Sequence, residues 1–76
     1  MAGEKTNYAE KAAAEKFVVI TADSGKIRGE ASISGSLIRT AYKGESFELI
    51  REEGDWYVVD VNGRTGYIHK GVSAIQ

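Results

Sequence analysis

An all-β fold, a small barrel or sandwich, is what this 76-residue sequence predicts. Three observations carry that expectation. Runs rich in β-branched and aromatic residues recur along the chain, turn signals separate them about every eight to twelve residues, and two runs are joined by Asn62-Gly63 alone.

The elements follow in order. FVVIT (17–21) is a β-branched run bounded by Ala-Asp-Ser-Gly, in which Asp23 and Ser24 before Gly25 read as an Asx turn. RGEASISGS (28–36) is rich in Gly and Ser and reads as a loop. LIRTAY (37–42) resumes strand character, Lys43-Gly44-Glu45 punctuates it, and SFELIRE (46–52) is the next strand, ended by Glu53-Gly54-Asp55. WYVVDV (56–61) and RTGYIH (64–69) form a hairpin, and AIQ (74–76) supplies a last short strand.

The hairpin is the most informative element. A two-residue type I′ turn needs positive φ at both central positions, which Asn and Gly tolerate best. That turn sets Val61 opposite Arg64 and, continuing outward, Val59 opposite Gly66, Val58 opposite Tyr67 and Trp56 opposite His69. Alternation then sorts the hairpin into two faces. Tyr57, Val59, Val61, Gly66 and Ile68 form a nearly continuous apolar face, the expected core. Gly66 there leaves space for Val59 or for a crossing strand. Trp56, Val58, Asp60, Thr65, Tyr67 and His69 form the other face, aromatic and polar at its edges. Clustered aromatics beside polar groups offer large rigid contact area at low entropy cost.

Residues 1–16, MAGEKTNYAEKAAAEK, differ in kind. Asn7 with Glu10 resembles a capping box, and a helix could run from Tyr8 to Lys16. Alone it would be marginal, since isolated helices shorter than about 12–15 residues rarely persist in water. The expected organisation is therefore 1–16 as a linker or short N-terminal helix, helical or disordered, and 17–76 as one β-barrel domain.

Composition narrows function. A chain this short buries only about 60% of its unfolded surface, and with no cysteine neither disulfides nor a Cys-based zinc site supports it. Ten Lys and Arg against eleven Asp and Glu give a formal charge of −1, with no basic stripe, so nucleic acid is not the expected partner. The longest apolar run, Phe17-Val18-Val19-Ile20, is far short of a membrane-spanning helix. No basic segment with an apolar stretch follows Met1, so no signal peptide is expected in this chain. The only histidine, His69, lacks a Gly-x-Ser-x-Gly elbow to serve and lacks clustered metal ligands. No catalysis, metal or cofactor is expected.

With elements and faces assigned, the chain from about Val18 to Ala74 resembles the bacterial SH3b domain, the Src-homology-3-like module of cell-wall proteins. The residues that carry the resemblance are Lys26-Ile27-Arg28-Gly29, Lys43-Gly44, Gly54-Asp55-Trp56-Tyr57-Val58-Val59 and Gly63-Arg64-Thr65-Gly66-Tyr67-Ile68. Ala31 replaces the proline usual in the first element, and the Ala-Leu-Tyr-Asp-Tyr-like motif of proline-helix binders is absent. The resemblance implies an SH3-like β-barrel of five to seven short strands and a non-catalytic module in a larger exported bacterial protein, extracellular, periplasmic or cell-wall associated. It implies recognition of peptidoglycan or a cell-wall peptide. The alternative it leaves open is a structural spacer that packs on and positions a neighbouring hydrolase domain. In isolation a monomer is expected. The candidate ligand-binding residues are Trp56 and Tyr67, with Tyr42, Arg28 and His69 around them.

Overall fold

The structure, a computed structural model, describes residues 16–76. The expected N-terminal helix or linker lies outside the described residues except for Lys16. Seven strands follow in order: β1 (Phe17–Ile20), β2 (Ser24–Arg28), β3 (Leu37–Tyr42), β4 (Ser46–Glu53), β5 (Trp56–Val61), β6 (Arg64–His69) and β7 (Ser73–Ile75). A single 3₁₀ turn, Lys70–Val72, separates the last two.

All the strands belong to one antiparallel sheet of order β3-β2-β6-β5-β4-β1-β7. The sheet curls until the turn after β3 meets β1. There the Gly44 N–H donates to the Ile20 carbonyl at 2.9 Å, and the Ile20 N–H donates to the Glu45 carbonyl at 2.9 Å. This is the small all-β barrel that the sequence predicts.

The β5–β6 hairpin sets the geometry of everything else. Asn62 and Gly63 take φ of 54° and 87°, as a type I′ turn demands, and the Asp60 carboxylate accepts the Gly63 N–H at 3.1 Å. The register runs from Val61 opposite Arg64 to Trp56 opposite His69. Val59, Val61 and Ile68 join Val18, Ile20, Ile27, Ala41 and Leu49 in the core, with Tyr57 packed against it. Each fully buried aliphatic side chain contributes about 1.5–3 kcal/mol of transfer free energy. A Cβ on Gly66 would lie 2.6 Å from Ile27 Cγ2 and 2.9 Å from Val61 Cγ2. The missing side chain therefore makes room for β2 to cross.

Two features differ from the sequence reading. β2, SGKIR, has almost no strand composition, and its start reads in sequence as an Asx turn. It is extended because β3 and β6 pair with it from both sides, and tertiary pairing overrides propensity in such cases. Gly25 allows that placement by fitting beneath Val72, whose Cγ2 would lie 2.9 Å from an added Cβ. The second difference is the hairpin's outer face. Val58 is fully buried and Trp56 is only 9% exposed, while His69 and Thr65 are exposed and Tyr67 is half-buried. Both faces of a strand are covered here, so the tryptophan is a wall and not an open platform.

Candidate functional site

The pocket lies where the second face of the hairpin meets β2 and the 29–36 loop. It is an open depression of about 220 Å³ lined by Ser24, Gly25, Lys26, Arg28, Ile33, Trp56, His69 and Val72. The site residues expected from sequence divide here. Trp56, His69 and Arg28 share the pocket; Tyr67 and Tyr42 lie outside its lining. Tyr67 sits on β6 directly opposite Arg28, and Tyr42 sits at the end of β3 opposite Ser24, 59% exposed. Both are neighbours of lining residues.

Trp56 and His69 form one corner. Their rings stand perpendicular, at 85°, with centroids 5.0 Å apart. The imidazole is fixed from behind. Its Nδ1 accepts the Gly71 N–H at 2.9 Å as the cap of the 3₁₀ turn, and the His69 backbone carbonyl accepts the Ser73 hydroxyl at 2.9 Å. An Nδ1 that accepts a hydrogen bond carries no proton, so in the neutral ring the N–H is at Nε2.

The loop forms the opposite rim and is stitched by its own polar groups. The Gly29 N–H donates to the Ser36 carbonyl at 2.7 Å, and the Ser32 N–H to the Glu30 carbonyl at 2.8 Å. The Glu30 carboxylate turns inward, accepting the Ser36 N–H at 2.8 Å and the Ser36 hydroxyl at 3.4 Å. Arg28 donates through Nη1 to the Gly35 carbonyl at 2.9 Å, so its guanidinium is held at the pocket edge by one nitrogen. A Cβ on Gly35 would lie 2.8 Å from Glu30 Oε1 and 3.1 Å from the Glu30 and Ser32 carbonyl oxygens, so the loop packs closely at this point. At the loop's apex Ile33 is 77% exposed, an apolar side chain presented to solvent at the rim.

Lys26 and Val72 carry no site signal in the sequence. Lys26 reaches the site through the β2–β6 pairing and Val72 through the 3₁₀ turn. Neither has a local signature. Ile33 was legible as an isolated apolar residue inside a Gly/Ser loop.

Outside the pocket lining, charges at the end of β4 are paired. Glu52 pairs with Lys70 at 2.8 Å and Glu53 with Arg51 at 2.7 Å. Hydrogen bonding to Glu52 raises the Lys70 pKa, and hydrogen bonding to Glu53 raises that of Arg51. Among the described residues, no group of three or more His, Cys, Asp or Glu is placed to hold a metal ion. No described helix is long and apolar enough to cross a membrane.

Comparison with known proteins agrees with this architecture. The family model described as "Bacterial SH3 domain" matches residues 23–73. Over 68 residues the chain is 29% identical to the Bacillus subtilis (strain 168) protein named "Putative N-acetylmuramoyl-L-alanine amidase YrvJ", a match covering 88% of this chain and 13% of that protein. Among solved structures, an NlpC/P60 family protein from Bacillus cereus ATCC 10987 superposes with a TM-score of 0.68 at 15% identity, over 93% of this chain and 23% of that one. The chain thus spans a small part of the length of the proteins it matches.

Proposed function

The chain belongs to the bacterial SH3 domain family, and from that premise we propose that it is a non-catalytic binding module that recognises a peptidoglycan or cell-wall peptide for a linked cell-wall enzyme. The observation that carries this reading is the pocket, where a buried Trp56 and an exposed Ile33 face a small depression rimmed by polar groups. Its volume of about 220 Å³ lies below the range of roughly 300–1,000 Å³ typical of whole small-molecule sites. It suits one short segment of a longer ligand. Affinity is then weak, about 10⁻⁴ to 10⁻⁶ M, and useful by holding a tethered enzyme near its substrate. The naming of a similar protein as an amidase, and the likeness to an NlpC/P60 structure, support a place beside such an enzyme outside the cell.

The test is a titration of isotope-labelled protein with purified peptidoglycan fragments, paired with co-sedimentation on intact cell walls. The expected result is shifts at the Trp56 indole N–H and the amides of Ser24, Gly25 and Val72, with retention on the walls. Absence of both removes the reading.

A second reading has its own support. The matched relatives are several times longer than this chain, and Leu37 and Tyr42 expose apolar surface along β3, at 52% and 59%. In that reading β3 packs on a neighbouring hydrolase and positions it. Limited proteolysis of the parent protein separates the two, because a packed module resists cleavage at its junction.

A further inference from the structure

We propose that the pocket takes the carboxylate end of a peptide, an inference that rests on the binding-module reading and names its ligand chemistry. The argument is one of charge complementarity. The protein as a whole is slightly acidic, with a formal charge of −1. Yet among the described residues the pocket lining contains Lys26 and Arg28 and no carboxylate. Glu30, two residues from Arg28, is turned onto Ser36 by two hydrogen bonds and does not line the pocket, nor do Asp23 and Asp55, which adjoin the lining residues Ser24 and Trp56 in sequence.

Apart from the Ser24 hydroxyl, the side-chain polar groups that remain are donors. Arg28 spends Nη1 on the Gly35 carbonyl, which fixes the plane of the guanidinium and leaves its Nε–Nη2 edge for a ligand. That edge is the fork that matches the two oxygens of a carboxylate. His69 has its acceptor nitrogen occupied by the Gly71 N–H, so its neutral ring can offer only a donor. Lys26 offers three N–H groups and no acceptor. An amine-bearing ligand would find nothing among these side chains to receive its proton except the Ser24 hydroxyl.

The apolar part of the pocket sets the rest of the ligand. Trp56, Ile33 and Val72 provide a small hydrophobic surface beside the donors. A chain terminus with a small side chain places its carboxylate against Lys26 and Arg28 and its methyl against Trp56. A mid-chain peptide unit brings no negative charge, and a bulky side chain exceeds the volume.

The experiment uses the full labelled chain and three probes: N-acetyl-alanyl-alanine, its C-terminal amide, and N-acetylmuramic acid as a carboxylate on a sugar. The expected result is pocket shifts with the free acid, with the amide and the sugar acid each about ten-fold weaker. Lys26→Gln, at an exposed strand position, lowers affinity for the acid to that for the amide without unfolding the chain. Arg28→Lys tests the fork separately. Equal binding of acid and amide overturns the inference and leaves the binding-module reading standing. Equal or tighter binding of the sugar acid overturns the peptide assignment. No shift with any probe, while intact cell walls still retain the protein, overturns the inference alone. Loss of cell-wall retention as well removes the module reading with it.

Discussion

Trp56 and His69 face each other across the β5–β6 ladder with rings perpendicular and 5.0 Å apart. The pair joins the hairpin to the 3₁₀ turn, because the same imidazole caps Lys70–Val72 through Nδ1. Packing and capping are coupled at one residue.

Replacing Trp56 with Ala removes the wall of the pocket and a side chain that is 9% exposed. A loss of about 3–5 kcal/mol is expected, typical of a buried aromatic truncated to Ala. His69→Ala is milder, about 1 kcal/mol, from the lost cap and edge contact. Urea denaturation of the two variants checks the order. A His69 variant as damaged as the Trp56 variant would contradict it.

Gly66→Ala tests how tightly β2 crosses the hairpin. The added Cβ meets Ile27 at 2.6 Å and Val61 at 2.9 Å, and Ile27 is fully buried. The backbone must move, with an expected cost of about 1–3 kcal/mol. Gly25→Ala meets Val72 at 2.9 Å, but that side chain is only half-buried and can turn aside. Thermal unfolding should rank Gly66→Ala well below Gly25→Ala.

The contrast between these two glycines also marks what the sequence makes legible. Gly66 sat opposite Val59 in a hairpin whose register follows from Asn62-Gly63, so its role as space for a neighbour could be read locally. The core face of that hairpin was legible for the same reason. Gly25 could not be read this way, because its strand exists only through pairing with β3 and β6. The site followed suit. That Trp56 and His69 share a face was legible from alternation, and Arg28 stands in a motif of the family resemblance. Lys26 and Val72 join them through strand crossing and chain return, which no local pattern encodes. The burial of Val58 and Trp56 was likewise hidden, since alternation reports which face a residue is on and not whether that face is covered.

Glu45 gives the fold an acid-sensitive contact. Its carboxylate accepts the Tyr42 N–H at 2.8 Å and Arg39 Nη2 at 2.7 Å, while Arg39 lies over the Phe47 ring at 5.7 Å. The Tyr42 backbone bond first, and Arg39 second, hold its pKa below the usual 4.5. A depressed folded-state pKa lends stability that is present above the unfolded value and lost as pH falls through the folded one. Glu45→Gln should therefore be less stable than the parent at neutral pH, with the gap narrowing below about pH 4.5. Denaturation midpoints of both proteins from neutral to acid pH check this. A constant gap would assign the contact to packing.

Gly63 is held at φ of 87°, where an L side chain is strained. Gly63→Ala should cost about 1–2 kcal/mol although nothing lies within 4 Å of the added Cβ. The penalty is conformational, not steric crowding by neighbours. A substitution without effect would mean that the turn had changed type, and the amide shifts of Asp60 and Arg64 would report it.

Ile33 separates binding from folding. It is 77% exposed at the apex of a loop whose hydrogen bonds come from Gly29, Glu30, Ser32, Ser34, Gly35 and Ser36, and it contributes none of its own side chain to the core cluster. Ile33→Ser should leave stability within about 0.5 kcal/mol, as surface substitutions do. It should nevertheless weaken cell-wall peptide binding about ten-fold, because the pocket loses the apolar rim that faces Trp56. Paired urea denaturation and peptide titration of the one variant give both quantities. Unchanged affinity with unchanged stability would move the binding surface away from this pocket, toward the exposed side of β3 where Leu37 and Tyr42 lie.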